Sequence, residues 1–209
     1  MEIISGGGHD QKTWAKQRPK YLKADNPLSI CTPPFMPEEA RGRCLDYLTP
    51  YLWEAAGADV NSPKEEDFKK SFELCNPVAE EGYRNICYGG FGKEFVALAQ
   101  DRDIRRVDQM DDERLKRVEN LCNLAPHPQA RQACLDGALR SIFWGGENDV
   151  SASIRFCQVI SDSELQKHCF LNMVDLVDFY VKPLSSRQSF CQMVPDELTS
   201  QCSEKLILK

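Results

Sequence analysis

The chain has 209 residues, 42% of them hydrophobic, and a formal net charge of −6. That is enough apolar mass for a real core, and the charge has the wrong sign for a general nucleic-acid binder, whose phosphate contacts need a basic face. No run approaches the roughly eighteen apolar residues of a membrane span, and the first thirty residues lack the apolar stretch of a secretory signal. Any export signal or anchor is therefore expected to have been removed, to lie outside this sequence, or never to have been used.

In chain order, residues 1–27 stand apart. The segment "SGGGHD" is glycine-rich but follows no strand and lacks the Lys and Ser or Thr of a phosphate loop, so it reads as linker. Lys12, Lys16, Arg18, Lys20 and Lys23 against Glu2, Asp10 and Asp25 make this stretch mildly basic on an acidic chain. It is expected to form a flexible or partner-docking arm ahead of a repeat domain spanning residues 28–209.

From there the cysteines organise the sequence. Ten of them fall into five couples, Cys31 with Cys44, Cys75 with Cys87, Cys122 with Cys134, Cys157 with Cys169, and Cys191 with Cys202, each eleven to thirteen positions apart. An even and dense set points to disulfides in an oxidising compartment. The short CxxC and HxxxH spacings of zinc sites are absent, and His9, His127 and His168 lie far apart, so no metal or cofactor is expected. On one straight helix a twelve-residue step separates Cα atoms by about 18 Å, whereas a disulfide needs about 5.5 Å. If each couple is bonded, the chain turns back between its members.

Turn residues sit where that demands. Pro33, Pro34 and Pro37 lie within the first couple, Pro77 within the second, Pro126 and Pro128 within the third, and Pro195 within the fifth. The fourth has no proline but offers Ser161 and Glu164 at capping-box spacing. Pro37, Pro128 and Pro195 suit the first turn of a helix that carries the second cysteine about two turns in. Each unit then reads as a helix ending near its first cysteine, a short turn, and a helix holding the second.

Flanking patterns agree. Ser62 and Glu65 have capping-box spacing, with Pro63 at the expected first helical position, ahead of a stripe of Phe68, Phe72 and Cys75. Cys134, Ala138, Ile142 and Phe143 continue a stripe that Gly145 and Gly146 end, and Asn148 is the expected cap of the next helix. Residues 101–120 mix seven acids with six bases and read as a solvated connector and helix face. The predicted fold is all-α, an array of about five helical hairpins of α-solenoid type, each closed by a disulfide.

This layout resembles disulfide-stapled helical-repeat proteins of the Sel1-like and tetratricopeptide kind over about residues 28–207, a likeness of architecture that carries over no functional residues. A second resemblance is to the twin CX9C helical hairpins of the mitochondrial intermembrane space, whose cysteines also pair between two helices; the spacing here is longer.

No catalytic constellation is legible. There is no CxxC for thiol redox chemistry and no GxSxG nucleophile elbow. The acid pairs Glu38 with Glu39, Glu80 with Glu81, and Asp111 with Asp112 point in different directions on a helix, and acids in a first turn complement the helix dipole. Tyr88, Phe91 and Trp144 follow second cysteines and are the candidates for a ligand groove, against the plainer reading that they pack between units. The sequence thus points to a non-enzymatic scaffold or accessory subunit that binds a protein or peptide in a periplasmic or secreted setting. The intermembrane space is the alternative compartment, and a hydrolase or thiol oxidoreductase with a scattered site is the alternative function.

Overall fold

The computed structural model describes residues 11–33, 35–59, 62–146 and 150–208. Among them the regular secondary structure is helical throughout, with eleven α-helices, two 3-10 segments and no strand. The "SGGGHD" segment, Pro34 and Asn148 lie outside the described residues. All ten cysteines are bonded within the expected couples, with Cα–Cα distances from 5.5 Å to 5.9 Å. Five such bonds mark an oxidising, non-cytoplasmic environment, and each closed loop removes about 3 kcal/mol of unfolded-chain entropy. The chain divides into two compact units, residues 1–94 with 122–134, and residues 95–121 with 135–209.

The first unit begins with α1 (Gln11–Tyr21) and a 3-10 turn (Pro27–Ile30), followed by α2 (Glu38–Asp46), α3 (Thr49–Ala55), α4 (Glu65–Glu73) and the first part of α5 (Glu81–Ala99). Residues 11–27 lie against this unit: Leu22 is buried, Arg18 makes a two-pronged ion pair with Glu54, and its guanidinium sits 5.5 Å from the Tyr51 ring centre. The helix before Cys31 is only the 3-10 turn, because Asn26 and Pro27 leave a short run between α1 and the cysteine. Helix α4 starts at Glu65, two residues later than the Ser62–Pro63 pattern predicts. The reason is local: Asp67, not Glu65, reaches back to accept from the Lys64 amide at 3.0 Å. Trp53 and Phe68 pack with ring centres 5.2 Å apart, and Phe72 stacks on Phe91 at 4.1 Å.

Gly90 fixes how closely α5 approaches the α2–α3 corner. A Cβ there would lie 2.6 Å from Thr49 Oγ1 and 2.7 Å from the Asp46 carbonyl oxygen, so only glycine fits without a shift.

The second unit holds a 3-10 segment (Ile104–Gln109), most of α6 (Asp112–Cys122) and of α7 (Pro128–Gly145), then α8 (Val150–Val159), α9 (Ser163–Tyr180), α10 (Leu184–Cys191) and α11 (Asp196–Leu206). Here the hairpin grammar is plainest: α8 pairs with α9, α10 with α11, and α9 also packs on α11. Pro128 is the first residue of α7, while Pro37 and Pro195 stand immediately ahead of α2 and α11. The cap of α9 is Asp162, whose carboxylate accepts from the Glu164 and Leu165 amides at 3.1 Å. Ser161, the expected cap, is diverted, because its hydroxyl donates to the buried Glu119 carboxylate at 2.9 Å.

A side-chain device shared by two hairpins carries no motif of its own. The residue three positions before the second cysteine ties down the turn in two hairpins: Arg84 donates to the Val78 carbonyl at 3.1 Å, and the Gln166 amide donates to the carbonyls of Gln158 and Ile160 at 3.1 Å each. A disulfide and a side-chain clamp thus hold the same loop.

Candidate functional site

The acidic couples stand at helix starts, but only Asp111 serves as a cap; Pro37, with no side-chain cap bond, precedes Glu38 and Glu39. Glu38 and Glu39 occupy the first turn of α2, Glu81 that of α5, and Asp111 accepts from the Arg114 amide at 2.8 Å ahead of α6. Residues 101–120 are not simply a solvated face. Leu115, Val118 and Glu119 are buried, because α6 turns one side into the core of the second unit. The buried Glu119 carboxylate takes the Ser161 hydroxyl on one oxygen and lies 3.1 Å from Lys116 Nζ on the other, while Lys116 also donates to the Val159 carbonyl at 3.0 Å. A charge taken out of water needs such partners, and the network pins α6 to the α8–α9 turn.

A second polar cluster joins α7 and α9. The His168 imidazole is 3.2 Å from the Asp136 carboxylate, which also accepts from the Asn172 amide at 2.7 Å. The hydrogen bond to Asp136 raises the His168 pKa, with burial opposing and the carboxylate charge assisting. All ten cysteines are in disulfides, so no thiol is available to these groups. Among the described residues no group of three or more His, Cys, Asp or Glu side chains gathers in a way that would hold a metal ion.

The three aromatic groove candidates part company. Tyr88 and Phe91 have no solvent exposure, so they line no open groove; they belong to the core of the first unit because α5 carries them inward beside Cys87. Trp144, in the second unit, is 49% exposed. It meets Tyr180 edge-on with ring centres 6.2 Å apart, and Tyr180 meets Phe179 at 4.8 Å and Phe143 at 5.9 Å. Phe179 is 69% exposed, Tyr180 39%, and Leu184, which opens α10, 53%. Lys182 donates to the Phe179 carbonyl at 2.6 Å and holds its ammonium 5.8 Å from the Phe179 ring centre. Phe143 beneath is fully buried, so the exposed rings rest on core.

This aromatic face is built by the register of the hairpins. Trp144 and Phe179 each stand ten residues after the second cysteine of their hairpin, at the ends of α7 and α9. Gly145 lets the end of α7 lie against Val107, whose side-chain carbons would be 3.0 Å to 3.3 Å from an added Cβ. Exposed aromatics clustered on a rigid base have the composition of protein-binding hot spots.

Each unit also has a polar hollow. In the second, a cavity of about 340 Å³ is lined by Gln100, Asp101, Asp103, Arg106, Gln109 and Arg114. Its groups are spent on one another. Arg106 donates to Gln109, Arg114 to the Gln100 carboxamide oxygen at 2.5 Å, and the Gln100 amide to the Arg106 carbonyl at 2.6 Å. Asp101 and Arg102 take left-handed φ of 51° and 64° in the turn that brings these groups together. In the first unit, a cavity of about 380 Å³ is lined by Asn76, Glu81, Arg84, Asn85, His127 and Gln129. Behind it Tyr88 bonds to Asn76 Oδ1 at 2.5 Å and to His127 Nε2 at 3.3 Å, and burial pushes the Tyr88 phenol up. His127 Nδ1 accepts from the Ala130 amide at 3.2 Å, capping α7.

Among the described residues no helix is long and apolar enough to cross a membrane. No family model, curated protein or solved structure matches the chain.

Proposed function

We propose that this protein is a non-enzymatic interaction module, a stack of disulfide-stapled helical hairpins that docks a protein or peptide partner in an oxidising compartment. The observation that carries the reading is the exposed cluster of Trp144, Phe179 and Tyr180 on the second unit. Large rings are costly to leave in water, and a cluster backed by a fixed core loses little side-chain freedom on binding. Lys182 at its edge favours a partner segment that combines apolar residues with an acid. A net charge of −6 disfavours an anionic bilayer as the occupant. The disulfides fit a periplasmic or secreted setting, with the mitochondrial intermembrane space as the alternative.

The test is recovery of partners from cells that make the protein in its native compartment, comparing wild type with Trp144→Ala/Phe179→Ala. A stoichiometric protein partner, lost by about 30-fold or more in the double variant at unchanged melting temperature, is expected, since a single hot-spot residue contributes about 2 kcal/mol or more. Equal recovery by both forms rejects the face as the docking site.

A further inference from the structure

The hollow of the first unit has a composition that packing does not account for. Its six lining residues come from just two disulfide-closed turns, Asn76, Glu81, Arg84 and Asn85 from the loop closed by Cys75–Cys87, and His127 and Gln129 from that closed by Cys122–Cys134. Tyr88 behind it, itself fully buried, joins the two turns through Asn76 and His127. The two turns are therefore joined before any ligand arrives, which lowers the cost of bringing their side chains together on binding.

The hydrogen-bonding capacity of that wall is only partly used. His127 is committed at both nitrogens, Arg84 at one guanidinium nitrogen to Val78, and Asn76 through its carbonyl oxygen. Asn85, Gln129 and Glu81 also line the hollow, and among the described residues no side-chain hydrogen bond occupies their carboxamides or carboxylate or the Asn76 amide. The hollow of the second unit is the control within the same chain, since its arginines and glutamines already satisfy each other.

We propose that the hollow of the first unit binds a small zwitterion of the α-amino-acid type, as a free amino acid or a dipeptide. One guanidinium with amide donors suits a carboxylate, and one carboxylate suits an ammonium group. A single arginine accompanied by an acid is the wrong balance for a phosphate ester. A sugar ring ordinarily stacks on an aromatic face, but no Phe, Tyr or Trp is among the residues lining the hollow, and Tyr88 behind it is buried. The volume, about 380 Å³, falls at the small end of ligand sites, which run from about 300 to 1,000 Å³.

The experiment is calorimetric titration of the full oxidised chain with L-glutamine and with glycyl-L-glutamine, each against its N-acetylated amide, which carries neither charge. At least one zwitterion is expected to bind, its neutral counterpart not, and addition of the binder should shift the NMR signals of His127 and Tyr88. Glutamine alone identifies a free amino acid, and preference for the dipeptide identifies a peptide. Glu81→Gln and Asn85→Ala should each weaken binding by about tenfold, the scale of one hydrogen bond to a charged group, with unchanged melting temperature. Arg84 is left intact because it also holds the Val78 carbonyl. Absence of heat with both zwitterions at millimolar concentration, equal binding of the neutral compounds, or indifference to both substitutions overturns the proposal.

Discussion

The two units use the same hairpin, but the aromatic and polar side chains that follow their second cysteines are disposed differently. Beside its disulfide-closed turns the first unit stacks Phe72 on Phe91 and seals Tyr88 behind Asn76 and His127, with Phe35, Tyr21 and Tyr47 exposed elsewhere on it, and leaves polar groups uncommitted around a hollow. The second consumes its polar groups in closed networks, Glu119 with Ser161 and Lys116, Asp136 with His168 and Asn172, and leaves rings exposed at the ends of α7 and α9. A disulfide-closed hairpin therefore fixes backbone geometry without dictating what its surface does. That choice rests with the residues on either side of the second cysteine.

Substitution of one ring in each unit probes this contrast most strongly. Phe91→Ala should lower unfolding stability by about 4 kcal/mol in denaturant titration, the cost of emptying a fully buried aromatic site. Trp144→Ala should cost less than about 1 kcal/mol, because half of that ring is already in water. Equal costs would erase the distinction between inward and outward rings.

Removal of one staple comes next and should treat the units alike. Cys75→Ala/Cys87→Ala and Cys157→Ala/Cys169→Ala each open a loop of the same length, 12 positions, and each should cost about 3 kcal/mol on the loop-entropy account. Thermal unfolding of the two double variants under non-reducing conditions checks it. A large difference would mean that the clamps of Arg84 and Gln166 carry unequal shares of the turns.

Gly90→Ala sharpens the description of the first unit. With a Cβ 2.7 Å from the Asp46 carbonyl oxygen, the variant should lose about 2 kcal/mol by overpacking. Gly82→Ala, with nothing within 4 Å of the added carbon, should change stability by less than about 0.5 kcal/mol, or gain slightly from helix propensity. Urea unfolding of both is the readout.

The smallest effect is the titration of His168. Its pKa in the fold is raised above the ordinary 6.5, first by the hydrogen bond to Asp136. A raised imidazole stabilises the fold fully below its unfolded value, and that contribution is lost as the pH rises through the folded value. The melting temperature of wild type relative to Asp136→Asn should therefore fall as the pH rises from below the ordinary 6.5 through the raised folded value. Parallel curves would show that the pair holds α7 and α9 together without sensing protons.

The hairpins were legible because two independent signals, cysteine spacing and proline position, coincide. A twelve-residue step cannot be bridged on one helix, so the turn follows from geometry alone. Helix starts were less legible: Lys64 and Asp162 replaced Ser62 and Ser161 as caps because a carboxylate or a buried partner nearby competes for the same groups. Sequence proximity to a second cysteine does not say which side of α5 meets the core, so it could not separate a groove role for Tyr88 and Phe91 from the packing role they take. Trp144 lay within the expected groove set, whereas its neighbours Phe179 and Tyr180 did not. The signal that finds them is register, since Trp144 and Phe179 share the position ten residues after their second cysteines. The polar hollow had no sequence signal, because its lining is gathered from two turns about fifty residues apart.

Both the hollow and the aromatic face depend on the pairing of the cysteines into sequential hairpin closures. The most direct measurement is a non-reducing peptide map by mass spectrometry, with free-thiol counting, on protein made in its native compartment. The expected result is five links, Cys31–Cys44, Cys75–Cys87, Cys122–Cys134, Cys157–Cys169 and Cys191–Cys202, and no free thiol. Crosswise links or free thiols would contradict it and dissolve both the hollow and the aromatic face as fixed surfaces.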